Sequence, residues 1–136
     1  MIFFFDNDFS PKIPRILVIM GHEACHLRDH FPADAPDVEW LERAGRERWV
    51  IVTADSRIRR NRAERMALQQ ANTPTIFVSG AVRHYEAREQ VIWFIKHWPQ
   101  VETALRKAGP GMIFEMSAHG KITEVCLTAK TPPRSR

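Results

Sequence analysis

The sequence predicts an α/β protein whose mostly parallel sheet is covered by helices on both faces. Three observations predict it. Residues 2–5 (IFFF) and 49–52 (WVIV) are wholly apolar, as strands buried on both faces of a parallel sheet are, with no alternation of polar positions. Each run closes on a carboxylate: Asp6 in the first, Asp55 (after Thr53 and Ala54) in the second. Strand-like and helix-like patterns then alternate through four strands, the order that lays parallel strands side by side with helices between them.

Residues 2–6 read as the first strand. Ser10–Pro11 is a helix start, an N-cap with proline at the first helical position, although Asp8 would serve equally as the cap. Ile13, Ile16, Leu17 and Met20 keep helical spacing until Gly21 ends the segment. Residues 23–28 (EACHLR) alternate weakly and predict a second strand, and Pro32 and Pro36 bracket a loop. Asp37 to about Arg48 is helical with Val38 and Leu41 inward, residues 49–53 form the third strand, and residues 59–71 the third helix.

Pro74 introduces a fourth strand, TIFVS, ending at Ser79. From Glu86 to about Ala108, Val91, Phe94, Ile95, Trp98, Val101 and Leu105 recur every three or four residues, predicting a long helix that Pro99 should kink or interrupt. Gly109–Pro110–Gly111 stops it. Residues 112–116 and 121–127 then flank Ser117–Ala118–His119–Gly120, a hairpin loop. The tail, residues 128–136, is polar and proline-rich and is expected to be disordered. Without repeats or an internal linker, residues 1–127 are expected to form one domain, the C-terminal hairpin occupying about 111–127.

A chain of 136 residues with 44% hydrophobic content suits a single core. Its 20 basic against 16 acidic side chains, net +4 with a pI near 9.5, permit a polyanionic partner without demanding one. Placement says more. Arg57, Arg59, Arg60, Arg62 and Arg65 crowd the segment directly after Asp55, where a single nucleic-acid strand approaching the acids would meet them; a solvated helix face is the plainer alternative. Cys25 and Cys126 have no metal-type or redox spacing and lie in apolar strand-like runs, so both are expected to be small buried hydrophobes. The N-terminus enters IFFFD without a signal-peptide pattern, and no apolar run is long enough to span a membrane. The expectation is a soluble, cytoplasmic protein.

The chemistry is expected at the strand-end acids, because ligands in parallel sheets bind beyond the carboxyl ends of the strands. Carboxylates gathered there repel one another unless a cation sits among them. Asp6 is followed by Asn7 and Asp8, Asp55 is flanked by Thr53 and Ser56, and Asp37 opens the intervening helix. Mg²⁺ or Mn²⁺ takes such oxygen donors, lowers the pKa of a coordinated water and offsets charge on a phosphodiester. Asp37 and Asp8 could each be a helix cap, whereas acids closing apolar strands need a partner for their charge. His22, His26 and His30 with Cys25 suggest zinc, but a turn at Gly21–His22 and a loop at Asp29–Phe31 break their common face. Trp93, Phe94 and Trp98 follow helical periodicity and read as core or a partner face, not a base-stacking platform.

Residues 3–31 (FFFDNDFSPKIPRILVIMGHEACHLRDHF), the helix start DVEWL at 37–41, and IVTADSRIRRNRAERMAL at 51–68 followed by TIFVS together resemble the PIN-domain superfamily. The likeness is greatest to the PIN-like branch found among VapC-type toxins of bacterial toxin–antitoxin pairs, and covers roughly residues 2–105. It implies a three-layer α/β/α sandwich and a metal-dependent ribonuclease in which Asp6, Asp37 and Asp55 hold Mg²⁺ or Mn²⁺. Asn7, Asp8, Thr53 and Ser56 would support them, and Arg57, Arg59, Arg60, Arg62 and Arg65 would bind RNA. Many PIN domains carry a further acid soon after the position of Asp55. Here Ser56, Arg57 and Ile58 stand there, which leaves Glu64, or Asn61 as a polar supporter, to take that place. The resemblance also implies an antitoxin partner that fills the acid groove, with the 86–108 helix as a docking or homodimer face.

Two other readings compete. A PIN-like module that binds RNA or protein without cutting would account for the displaced fourth acid. A receiver-type phosphoacceptor would use Asp6, Asp8, Asp55 and Ser79, but has no use for Asp37 and needs a lysine ending a fifth parallel strand, where Gly109–Pro110–Gly111 leads into a hairpin.

Overall fold

The computed structural model describes residues 1–127, so the tail expected to be disordered lies outside the described residues. A six-stranded sheet runs in the order β2-β1-β3-β4-β5-β6. Its strands are β1 (Ile2–Phe5), β2 (Glu23–His26), β3 (Val50–Thr53), β4 (Thr75–Val78), β5 (Ile113–Met116) and β6 (Ile122–Val125). All neighbours are parallel except β5 and β6, which form the expected hairpin. The first hairpin strand is thus a fifth parallel strand as well.

Alternation along β1 explains the layers. Phe3 and Phe5 point to one face, where they pack with Ile13 and Leu17 of α1 (Lys12–Ile19) and Phe94, Trp98 and Val101 of α6 (Ala87–Leu105). Phe4 points to the other, against Trp40 and Leu41 of α2 (Asp37–Glu47), Ile58 of α3 (Arg57–Arg60) and Leu68 of α4 (Arg62–Ala71). Phe4, Phe5, Leu41, Ile51, Ile58 and Ile76 are fully buried, each such side chain contributing about 1.5–3 kcal/mol relative to exposure. This is an α/β/α sandwich.

Several local expectations are corrected. The helix α1 starts at Lys12 with Pro11 at its N-cap position; Ser10 Oγ accepts from Lys12 N at 3.1 Å, and Asp8 is drawn to the sheet. β2 ends at His26 and gives way to a 3-10 turn, Leu27–Asp29, closed by reciprocal His26 and Asp29 side-chain bonds. The third helix is two helices, because Asn61 is extended (φ −74°, ψ 126°) and its side chain caps α4 by accepting from Glu64 N at 3.0 Å. An unforeseen short helix, α5 (Gly80–Arg83), follows β4 with Ser79 as its side-chain cap. Pro99 does not interrupt α6. Cys126 is exposed and Cys25 half-buried, because both lie on outer strands or their ends. Among the described residues no helix is long and apolar enough to cross a membrane.

Candidate active site

The parallel strands β1 and β3 are adjacent and in register, Phe5 beside Val52, so the residues that leave their carboxyl ends meet. Asp6 and Asp55 are both buried there. Thr53 joins them: its hydroxyl donates to Asp6 Oδ2 at 2.5 Å and accepts from Asp55 N at 3.0 Å. Asp8 folds back over Asp6, its backbone N–H donating to Asp6 Oδ1 at 3.1 Å, and its own carboxylate accepts from Ala54 N at 3.0 Å. Asp37 is the first residue of α2, not its cap; that position is Pro36. Its Oδ1 accepts from the Trp40 indole at 2.9 Å, which fixes the carboxylate within electrostatic reach of Asp55 and Asp8.

Electrostatics binds these groups into one unit. Burial, then the neighbouring Asp8 charge, hold the Asp6 carboxyl well above the usual carboxylate range, against the hydrogen bonds from Thr53 and the Asp8 backbone. Burial raises Asp37 as well, with Asp55 and Asp8 adding repulsion. Glu64, from the first turn of α4, is raised by burial and by the charges of Asp37 and Asp55. Asp55 goes the other way. Although burial opposes it, bonds from the Arg57 side chain and backbone lower it. Arg57 Nε and Nη2 reach Asp55 at 3.0 and 2.9 Å.

Sequence-predicted supporters divide. Thr53, Asp8 and Glu64 join the cluster, whereas Asn7 bridges two loops, donating to Ala33 O and accepting from Arg28 Nε. Ser56 is exposed and accepts from Arg60 at 3.4 Å, and Asn61 acts as a helix cap. Arg57 is committed to Asp55, and Arg59 is paired with Glu115 across the sheet end. Arg62 is exposed and Arg65 half-buried on α4. The three histidines part: His22 meets Glu102, His30 lies against Trp49, and buried His26 Nε2 bonds Phe9 O at 2.8 Å. Two residues beyond the reach of any sequence pattern serve the acids. Arg83 of α5 pairs with Asp8 at 3.4 Å, and the buried Gln90 amide donates to Asp8 O and accepts from Ser10 N. Both lie more than 70 residues along the chain from Asp8, beyond any periodic or spacing signal.

Among the described residues no three His, Cys, Asp or Glu side chains already stand together as a ready metal-binding group. The donor set nevertheless suits a hard divalent cation. All five groups are carboxylates, and among the described residues only Arg57 and Arg83 form ion pairs with them. Glu64 Oε1 is shut away from water with no hydrogen-bond partner, a costly state for a carboxylate oxygen.

A receiver-type lysine is missing where β5 ends, on Met116 followed by Ser117. A family model described as a PIN like domain matches residues 1–80. No curated protein and no solved structure gives a significant match. The matched segment is more than half of the chain and runs from β1 through β4, with Asp6, Asp8, Asp37, Asp55 and Glu64 all inside it, so the chain belongs to the PIN-like domain family.

Proposed function

We propose that the protein is an endoribonuclease dependent on Mg²⁺ or Mn²⁺, of the VapC toxin type, kept silent by an antitoxin. One observation carries the reading: the Thr53 hydroxyl joins the Asp6 and Asp8 carboxylates to the Asp55 backbone beyond the ends of β1 and β3, Arg57 and Arg83 pair with Asp55 and Asp8, and one Glu64 oxygen has no partner. Asp6, Asp37 and Asp55 would hold the metal, with Asp8 and Glu64 at its margin. When bound, the ion supplies an acidified water and a counter-charge for the phosphorane-like transition state.

The chain's own residues set up the rest. Thr53 fixes Asp6 and, through the Asp55 backbone, the spacing of the two strand-end acids. The Trp40 indole holds Asp37 by one oxygen and leaves the other for a ligand. Arg57 is 71% exposed at its side chain, so it can turn from Asp55 to a phosphate without breaking packed structure. Arg83, also exposed, can do the same from Asp8. Backbone phosphate contacts of this kind position RNA without reading its sequence. The two ion pairs also favour a second reading, a PIN-like module that binds RNA without cutting, because each neutralises an acid that a metal would use.

Cleavage of a mixed-sequence structured RNA separates the two. Wild type and Asp55→Asn are compared in Mn²⁺, Mg²⁺ and EDTA. Metal-dependent cutting that the substitution abolishes supports the nuclease. Wild type that binds RNA but cuts under no metal establishes the binding module instead.

A further inference from the structure

Beside the acids, at the carboxyl ends of β4 and β5, lies a cavity of about 540 Å³. Half of its lining comes from residues beyond the family-matched segment, and none of the acid cluster lines it. Its charge is the reverse of its neighbour's. Arg59, Arg83 and Lys121 face it with Glu115 as the one acid, and Glu115 is already paired with Arg59. Lys121 is exposed and has no ion-pair partner among the described residues.

Its floor is built, too. The Arg59 guanidinium lies 4.7 Å over the Phe77 ring and is tethered by Glu115, so it is anchored rather than free in solvent. Guanidinium planes held in this way stack on unpaired bases. Ser79 adds a hydroxyl at the rim. Arg83 faces the cavity while pairing with Asp8, which makes it the link between the two compartments. With strands about 4.8 Å apart, the cavity lies one to two strands from Asp55, within reach of a neighbouring nucleotide.

We propose that this cavity is a nucleotide subsite, holding the RNA nucleotide that flanks the scissile bond. Lys121 and Arg83 take its phosphate, and the Arg59 plane takes its base. The acids repel a polyanion and this cavity attracts it, so a strand is drawn across the cleft with its scissile phosphate over the carboxylates. The inference rests on the proposed RNA substrate, yet its failure can be told apart from that of the nuclease reading.

The test is titration of the full-length wild-type protein with uridine 5′-monophosphate and, separately, with inorganic phosphate, followed by amide NMR shifts. Lys121→Glu and Lys121→Ala are run alongside, since Lys121 is exposed and its replacement leaves the core intact. The expected result is shifts at Ser79, Gly80 and Ser117 with the nucleotide, weaker binding of phosphate alone, and at least tenfold weaker nucleotide binding by Lys121→Glu. In RNA cleavage Lys121→Glu should raise KM at least tenfold with kcat within threefold of wild type. Phosphate binding as tightly as the nucleotide overturns the assignment, as do both variants binding like wild type. Nucleotide binding in a wild type that cleaves no RNA supports the cavity and removes the nuclease. Cleavage by Lys121→Glu at unchanged KM removes the cavity and spares the nuclease.

Discussion

Replacing Asp6 by asparagine should make the metal-free protein more stable while abolishing the RNA cleavage proposed for it. Asp6 is 5% exposed, and burial and Asp8 hold its carboxyl well above the usual range. An acid whose folded pKa is raised binds its proton more readily folded than unfolded. Stability therefore falls as pH rises from the ordinary carboxylate range through the folded pKa, the reverse of a salt-bridged aspartate. The amide fits the existing bonds. Its oxygen can keep the bond from Asp8 N, and its NH₂ can donate to Thr53 Oγ1, whose proton then turns to Asp8 Oδ2, 3.4 Å away. Relief of a buried, under-compensated charge is worth about 1–3 kcal/mol. For a domain of this size each kcal/mol moves Tm by about 3–5 °C. Thermal unfolding in EDTA at neutral and mildly acidic pH is the assay. Asp6→Asn should melt several degrees higher at neutral pH, with a flatter pH dependence, and added Mn²⁺ should raise the Tm of wild type only. A variant that melts lower than wild type at neutral pH, or keeps its pH slope, would refute the reasoning.

Glu64→Gln removes one charge from an oxygen that has no partner; we expect about 10–100-fold weaker Mn²⁺ binding by calorimetry, with Tm unchanged or raised. Gly45→Ala should destabilise although alanine favours helix, because its Cβ would stand 2.6 Å from Ala71 Cα where α2 meets α4; the overpacking costs about 1–3 kcal/mol, read as a lower denaturation midpoint. His26 is held below its ordinary pKa chiefly by burial, so its contribution is present above the unfolded histidine value and fades as pH drops through the folded one. Unfolding curves in the Asp6→Asn background, with the opposing slope of the buried Asp6 removed, should show that loss, and adding His26→Ala should lessen the pH dependence while costing about 2–3 kcal/mol for its bonds to Phe9 O and Arg28 N.

The apolar runs alone determined β1, β3 and β4, since strands buried on both faces carry their signature in every residue. The strand–helix alternation determined the parallel sandwich, and strand ends placed Asp6 and Asp55 together at the carboxyl end of the sheet before any contact was known. Helix boundaries were less legible where a capping side chain, as at Asn61, competes with a continuous polar-apolar pattern. Only the tertiary structure decided which acids meet. It set Thr53 between Asp6 and Asp55 and left Glu64 Oε1 without a partner. It also brought Arg83 and Gln90 to Asp8, and committed Arg57 to Asp55. The physical reason is range. Periodicity and capping act over a few residues and are written in order along the chain, whereas Coulomb interactions and desolvation depend on distance in space, which the strand order β2-β1-β3-β4 alone creates.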